Sequence, residues 1–124
     1  MRLHRVPDLI AEARAFVARH HPIWLPQAYG HAGDGNIHFN VMPPKDLSES
    51  AARAEGRIIL AGLYDIVAGL DGSLSAEHGI GRSRRDVLWP ALSPVQRRLL
   101  QAVKSAFDPD NMMNPGCLIP EGVS

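Results

Sequence analysis

Apolar residues open the chain with a helical rhythm. Leu9, Ile10, Ala13, Phe16, Val17 and His20 follow one another at spacings of 1, 3, 3, 1 and 3, the signature of one helix face over residues 7–20. Pro7 suits the first turn of that helix and Pro22 ends it. Residues 23–29, Ile-Trp-Leu-Pro-Gln-Ala-Tyr, are apolar and extended in character, and Pro26 marks them as an edge or bulged strand. Residues 30–36 carry three glycines, too many for a regular element, and predict a tight turn with positive φ. Ile37-His38-Phe39-Asn40-Val41-Met42 then alternates apolar with polar, so a second strand follows and the pair reads as a hairpin.

The longest predicted helix spans residues 47–70, where Leu47, Ala51, Ala54, Ile58, Ile59, Leu63, Ile66, Val67 and Leu70 keep helical spacing. Asp46 or Ser48 can cap it, and Asp71-Gly72 closes it. A brief strand is expected over residues 73–76, followed by a second glycine-rich loop, Glu77-His78-Gly79-Ile80-Gly81. A last helix has Ser93 as N-cap and Pro94 as first residue, is expected to bury Val95, Leu99, Val103 and Phe107, and stops before Pro109. The remainder of the chain is rich in turn residues.

Composition narrows the class. With 124 residues, 45% hydrophobic and 21% charged, the chain reads as one soluble globular domain, residues 1–124. A chain of this size buries about two thirds of its unfolded surface. The 13 Lys and Arg balance the 13 Asp and Glu, so no net field draws a polyanion, and nucleic acid is not an expected partner. No stretch has the length and apolarity of a membrane span, and residues 1–10 lack the apolar run of a signal peptide. The single cysteine, Cys117, permits no internal disulfide, which fits a reducing compartment, and a cytoplasmic location is expected. The length leaves no room for a dinucleotide-binding domain beside a second domain.

The two glycine-rich loops hold the residues with chemistry. His31 and His38 flank the Gly-Asp-Gly turn, and a hairpin lets one end the incoming strand while the other opens the outgoing one, so their imidazoles can converge on one ion. Two histidines and a carboxylate form a common catalytic zinc set, and Glu77 is available as the carboxylate. Neighbours on an extended chain point to opposite sides, which leaves His78 free to act as a general acid or base. Neither loop matches a phosphate-binding glycine pattern, and Asp34-Gly35-Asn36 lacks the further acidic positions of a calcium loop. His20 and His21 read as a helix C-terminal pair, Arg82–Arg85 as a solvated basic face, and Cys117 as a bystander.

Three motifs in order carry a resemblance: Gly30-His31-Ala32-Gly33-Asp34-Gly35-Asn36-Ile37-His38, Ser75-Ala76-Glu77-His78-Gly79-Ile80-Gly81-Arg82, and Phe107-Asp108-Pro109 through Asn114-Pro115-Gly116. From about residue 23 to residue 119 the chain resembles the C-terminal, substrate-binding cap domain of the FAD-linked 2-hydroxyacid dehydrogenases, of vanillyl-alcohol-oxidase type. Members of that family act on D-lactate, glycolate or D-2-hydroxyglutarate. The resemblance implies an α+β fold, an antiparallel sheet with helices packed on one side, and a 2-hydroxy acid as substrate. It implies that His31, His38 and Glu77 hold a divalent metal, zinc or manganese, and that His78 takes the hydroxyl proton while hydride goes to FAD. It further implies that Asn40 lies near the substrate carboxylate and Asn114 near the flavin ring.

The family's flavin-binding domain and the earlier part of its cap are not in these 124 residues, so FAD is expected to come from another domain or a separate subunit. A basic residue commonly follows Asn-Pro-Gly in the family, whereas this chain has Cys117. The chief alternative is a non-catalytic module that binds a metal and a 2-hydroxy acid, and a more remote one is a metal hydrolase using the same three ligands. A partial cap sheet would expose an edge strand and apolar surface, so a homo-oligomer is expected.

Overall fold

The computed structural model describes residues 2–75 and 77–122. The fold is α+β, with four α-helices and a two-stranded antiparallel sheet among the described residues. The chain divides into two compact units, residues 1–77 and 78–124.

The first unit is a hairpin backed by two helices. A 3-10 turn over Leu3–Arg5 leads into α1, Val6–His20, which carries a proline in its first turn and buries Val6, Ala13 and Val17 at helical spacing. Its C-terminal turn closes with the His21 N–H on the Val17 carbonyl. Trp24 then turns inward, buried, with its indole N–H donated to Glu55 Oε2 at 2.9 Å. The incoming strand β1 runs Leu25–His31, two residues later than its composition suggests, because Ile23 stays exposed and Trp24 is consumed in the core. After a 3-10 turn over Ala32–Asp34, Gly35 adopts φ +71 and β2, Asn36–Met42, returns. The register pairs Leu25 with Met42, Gln27 with Asn40, Tyr29 with His38 and His31 with Asn36.

Alternation divides the hairpin cleanly. Phe39 and Val41 pack with Phe16, Leu47, Ala52 and Leu63 on a core of Val17, Trp24 and Ile59, so both helices of this unit lie on one side of the sheet. The opposite side carries the polar members of both strands. Helix α2, Glu49–Gly69, starts at Ser48, whose hydroxyl accepts the Ala51 N–H. It ends where Asp71 takes a left-handed φ of 53° and Gly72 donates its N–H to the Val67 carbonyl. The strand expected next does not form over residues 73–75, and Ala76 lies outside the described residues.

In the second unit a loop with left-handed Gly79 and Gly81 leads to α3, Arg85–Ala91, and then α4, Pro94–Phe107. The periodicity does not announce α3, since its seven residues make only two turns and include Pro90. Trp89 is its buried anchor, with the Arg97 guanidinium 5.8 Å from the ring centroid. Helix α4 carries a full capping box between Ser93 and Gln96. Its apolar stripe departs from expectation: Val95, Leu99, Val103 and Phe107 are exposed, Phe107 by 78%, rather than buried. Helical periodicity fixes that these residues share a side but not that another element lies against it. Among the described residues no helix is long and apolar enough to cross a membrane.

Candidate metal and substrate site

The polar side of the hairpin gathers the predicted residues. Directly paired residues share a side of a sheet, so Tyr29 with His38, His31 with Asn36 and Gln27 with Asn40 form one ladder of polar side chains. Their core-facing neighbours Ile37, Phe39 and Val41 hold that ladder in place. Gly30, inside β1, makes a close approach of the two strands possible: its φ is +134°, and a Cβ there would sit 2.5 Å from the Asn36 carbonyl oxygen.

Glu77, at the end of the first unit, closes on this ladder. His38 Nε2 donates to Glu77 Oε1 at 2.9 Å, and Asn36 Nδ2 donates to Glu77 Oε2, also at 2.9 Å. Each carboxylate oxygen therefore has its own donor, one from each end of an i, i+2 pair on β2, which fixes the plane of the carboxylate. The His38 side chain is 28% exposed and that of Glu77 45%, so the pair lies at the surface where a small ligand can reach it. Tyr29 stacks on His38 at 5.2 Å between centroids and 11° between planes, which orients the imidazole. Asn40 donates from Nδ2 to the Tyr29 hydroxyl at 3.1 Å, joining the predicted substrate-contacting residue to the same group.

Of the predicted site residues, the structure thus brings His38 and Glu77 into direct contact and sets Asn40 two positions further along the same side of β2. His31 stands on that side too, at the end of β1 opposite Asn36, and is exposed. His78 follows Glu77 directly in the chain, is exposed, and opens the second unit. Asn114 also belongs to that unit, where it adopts φ +47° and its carbonyl accepts the Cys117 N–H at 3.1 Å.

Two participants, Asn36 and Tyr29, were not singled out by sequence reasoning. The period-two pattern of β2 already places residues 36, 38 and 40 on one side. Pairing them with Tyr29 requires the register, which is set by the four-residue connection 32–35.

The chain is similar to known proteins over nearly its whole length. The family model described as FAD linked oxidases, C-terminal domain, matches residues 2–118. The D-2-hydroxyglutarate dehydrogenase of Stutzerimonas stutzeri (strain A1501) is 36% identical over 112 residues, 90% of this chain and 24% of that protein. The D-lactate dehydrogenase of Anaerostipes hadrus is 37% identical over 90 residues, 73% of this chain and 19% of its own. The mitochondrial D-2-hydroxyglutarate dehydrogenase of Bos taurus is 34% identical over 120 residues, 95% of this chain and 20% of its own. The chain spans a quarter or less of the length of these relatives.

Proposed function

Since this chain belongs to the family of FAD linked oxidases, C-terminal domain, we propose that it supplies the metal- and substrate-holding part of an FAD-dependent 2-hydroxyacid dehydrogenase. The reaction is oxidation of a 2-hydroxy acid of the D-2-hydroxyglutarate or D-lactate kind to the 2-oxo acid. What carries this reading is the His38 and Glu77 pair, two ligand-type atoms 2.9 Å apart where Glu77 closes on the polar side of the hairpin.

The donor set fits a divalent cation. Ligand atoms bound at about 2.1 Å to one zinc ion stand about 3.0 to 3.4 Å apart, depending on coordination geometry. The 2.9 Å separation of His38 Nε2 and Glu77 Oε1 lies just below the short end of that range. Asn36 acts behind the carboxylate and Tyr29 behind the imidazole, the supporting contacts that orient metal ligands. His38, Glu77 and His31 would hold the ion, zinc or manganese. When bound, the ion lowers the pKa of a substrate hydroxyl and fixes its orientation. FAD, when bound, supplies the hydride acceptor.

The chain's own residues do the rest. Asn40 retains a second amide N–H beyond the one given to Tyr29, suited to a substrate carboxylate oxygen. His78 takes the hydroxyl proton on an imidazole nitrogen, the side chain most often used as a general base. The exposed amide of Asn114 offers both a donor and an acceptor to the edge of a flavin ring. The single Cys117 supports a reducing, cytoplasmic setting.

The test is metal content and zinc or manganese titration of the full chain, with His38→Ala and Glu77→Gln beside the parent. The expected result is about one ion per chain, lost in both variants while their circular dichroism stays that of the parent. A parent chain that takes up neither ion overturns the metal reading.

A further inference from the structure

We infer that Arg82 and Arg85 are positioning residues that set the backbone of Asn114 in advance of its ligand. The inference rests on the reading of Asn114 as the residue that meets the flavin. Neither arginine carries a role in that reading, where they pass for a solvated basic face.

Both side chains bond back onto the chain, Arg82 while exposed and Arg85 while half-buried. Arg82 Nη2 donates to the Pro115 carbonyl at 3.1 Å, and Arg85 Nη1 donates to the Gly116 carbonyl at 2.7 Å. A third bond closes the same junction: the Leu118 N–H donates to the Gly81 carbonyl at 3.0 Å. The segment from Gly81 to Arg85 therefore grips the two carbonyls that directly follow Asn114. The approach at Gly116 is close. This residue is buried at φ +69°, and a Cβ on it would stand 3.1 Å from Arg85 Nη1 and 2.6 Å from Glu121 Oε1.

The chain is held equally firmly just before Asn114. Buried Asp108 accepts the Met112 N–H at 2.8 Å and the Met113 N–H at 2.9 Å, and Lys104 bonds both that carboxylate and the Met113 carbonyl. Asn114, in an exposed stretch, is thus the residue between two clasps, at φ +47°, a left-handed backbone that L-residues resist and that asparagine tolerates better than most. Arginine suits the downstream clasp, because a planar guanidinium with several fixed donors can hold a carbonyl while its other N–H groups are satisfied. Arg85 does so, with Nε on Asp86. A turn fixed from both sides presents its side chain with little conformational entropy left to lose on binding.

The experiment uses the full 124-residue chain and residue-resolved amide exchange by NMR, comparing the parent with Arg82→Met, Arg85→Met and Arg85→Lys. Removing either clasp is expected to lower protection of the Cys117 and Leu118 amides about tenfold, the effect of one net hydrogen bond. Hairpin amides of the first unit stay unchanged, and Arg85→Lys recovers most of the loss because a donor remains for the Gly116 carbonyl. Unchanged protection in both Met variants, or a Lys variant as loose as Met, overturns the clasp. FAD added to the same samples is the second probe, read at the Asn114 side-chain amide. A shift in the parent that weakens in the Met variants supports positioning, and an equal shift in all of them overturns it. No shift in the parent removes the flavin reading of Asn114, while the exchange data still decide the clasp.

Discussion

Replacing Gly62 with alanine sets two opposing effects against each other in one helix, and the structure decides between them. Gly62 lies inside α2, where alanine gains about 1 kcal/mol of helix propensity over glycine. A Cβ at that position would meet the Phe16 ring at 2.2, 2.7 and 2.9 Å, well inside van der Waals contact. Phe16 is half-buried, and moving its ring costs contacts. It packs against the Val17, Trp24 and Ile59 core and lies 5.1 Å from the His20 ring and 6.2 Å from the His21 ring, centroid to centroid. Forcing an extra methyl group into such a contact costs about 1 to 3 kcal/mol, so Gly62→Ala is expected to destabilise by about 0 to 2 kcal/mol net. Urea unfolding followed by circular dichroism measures it, and a double-mutant cycle isolates the cause. In a Phe16→Ala background the clash is gone and Gly62→Ala should turn stabilising by about 1 kcal/mol, a reversal of sign. A Gly62→Ala variant that is more stable than the parent with Phe16 in place refutes the reasoning.

Two further outcomes test other parts of the fold. Asp108 has its pKa held below the ordinary carboxylate range, first by its hydrogen bond with Lys104 and then by the N–H groups of Met113 and Met112, against the opposing effect of burial. A depressed native pKa contributes stability that is complete above the ordinary carboxylate value and is lost as pH falls through the native one. Asp108→Asn should therefore lower stability at neutral pH and flatten its fall in acid, as read from urea midpoints at successive pH values. Gly30→Ala must find room for a Cβ 2.5 Å from the Asn36 carbonyl at a φ of +134°, and should cost about 2 kcal/mol or more while shifting the amide resonances of His31, Asn36 and His38. An alanine variant with parental stability and spectrum would contradict the close approach at Gly30.

Legibility of the fold from sequence divides along physical lines. Strong local signals came through: the face of α1, the proline stops, the Gly-rich connection, the alternation of β2 and the Ser93-Pro94 start of α4 all form as expected. Quantities that depend on distant partners did not. The exposed Val95, Leu99, Val103 and Phe107 stripe shows that a moment along a helix says nothing of what faces it. The two-residue shift of β1 follows from Trp24 packing against α2 residues some thirty positions away, through its bond to Glu55. In the site, the motifs named His38 and Glu77 as chemistry and the resemblance added Asn40, but the carboxylate's second donor, Asn36, and the stacking partner, Tyr29, needed the register of the hairpin.

The two sides of β2 also have a meaning for how such a protein can change. Positions 37, 39 and 41 answer to the interior and positions 36, 38 and 40 to whatever arrives from solvent, so the strand keeps two inventories that never compete for the same side chain. A combinatorial library confined to the solvent-facing positions and to Gln27, Tyr29 and His31 across from them can explore new ligand preferences on an unaltered scaffold. Insertions of a single residue in the connecting loop cannot, because they exchange the two inventories at a stroke.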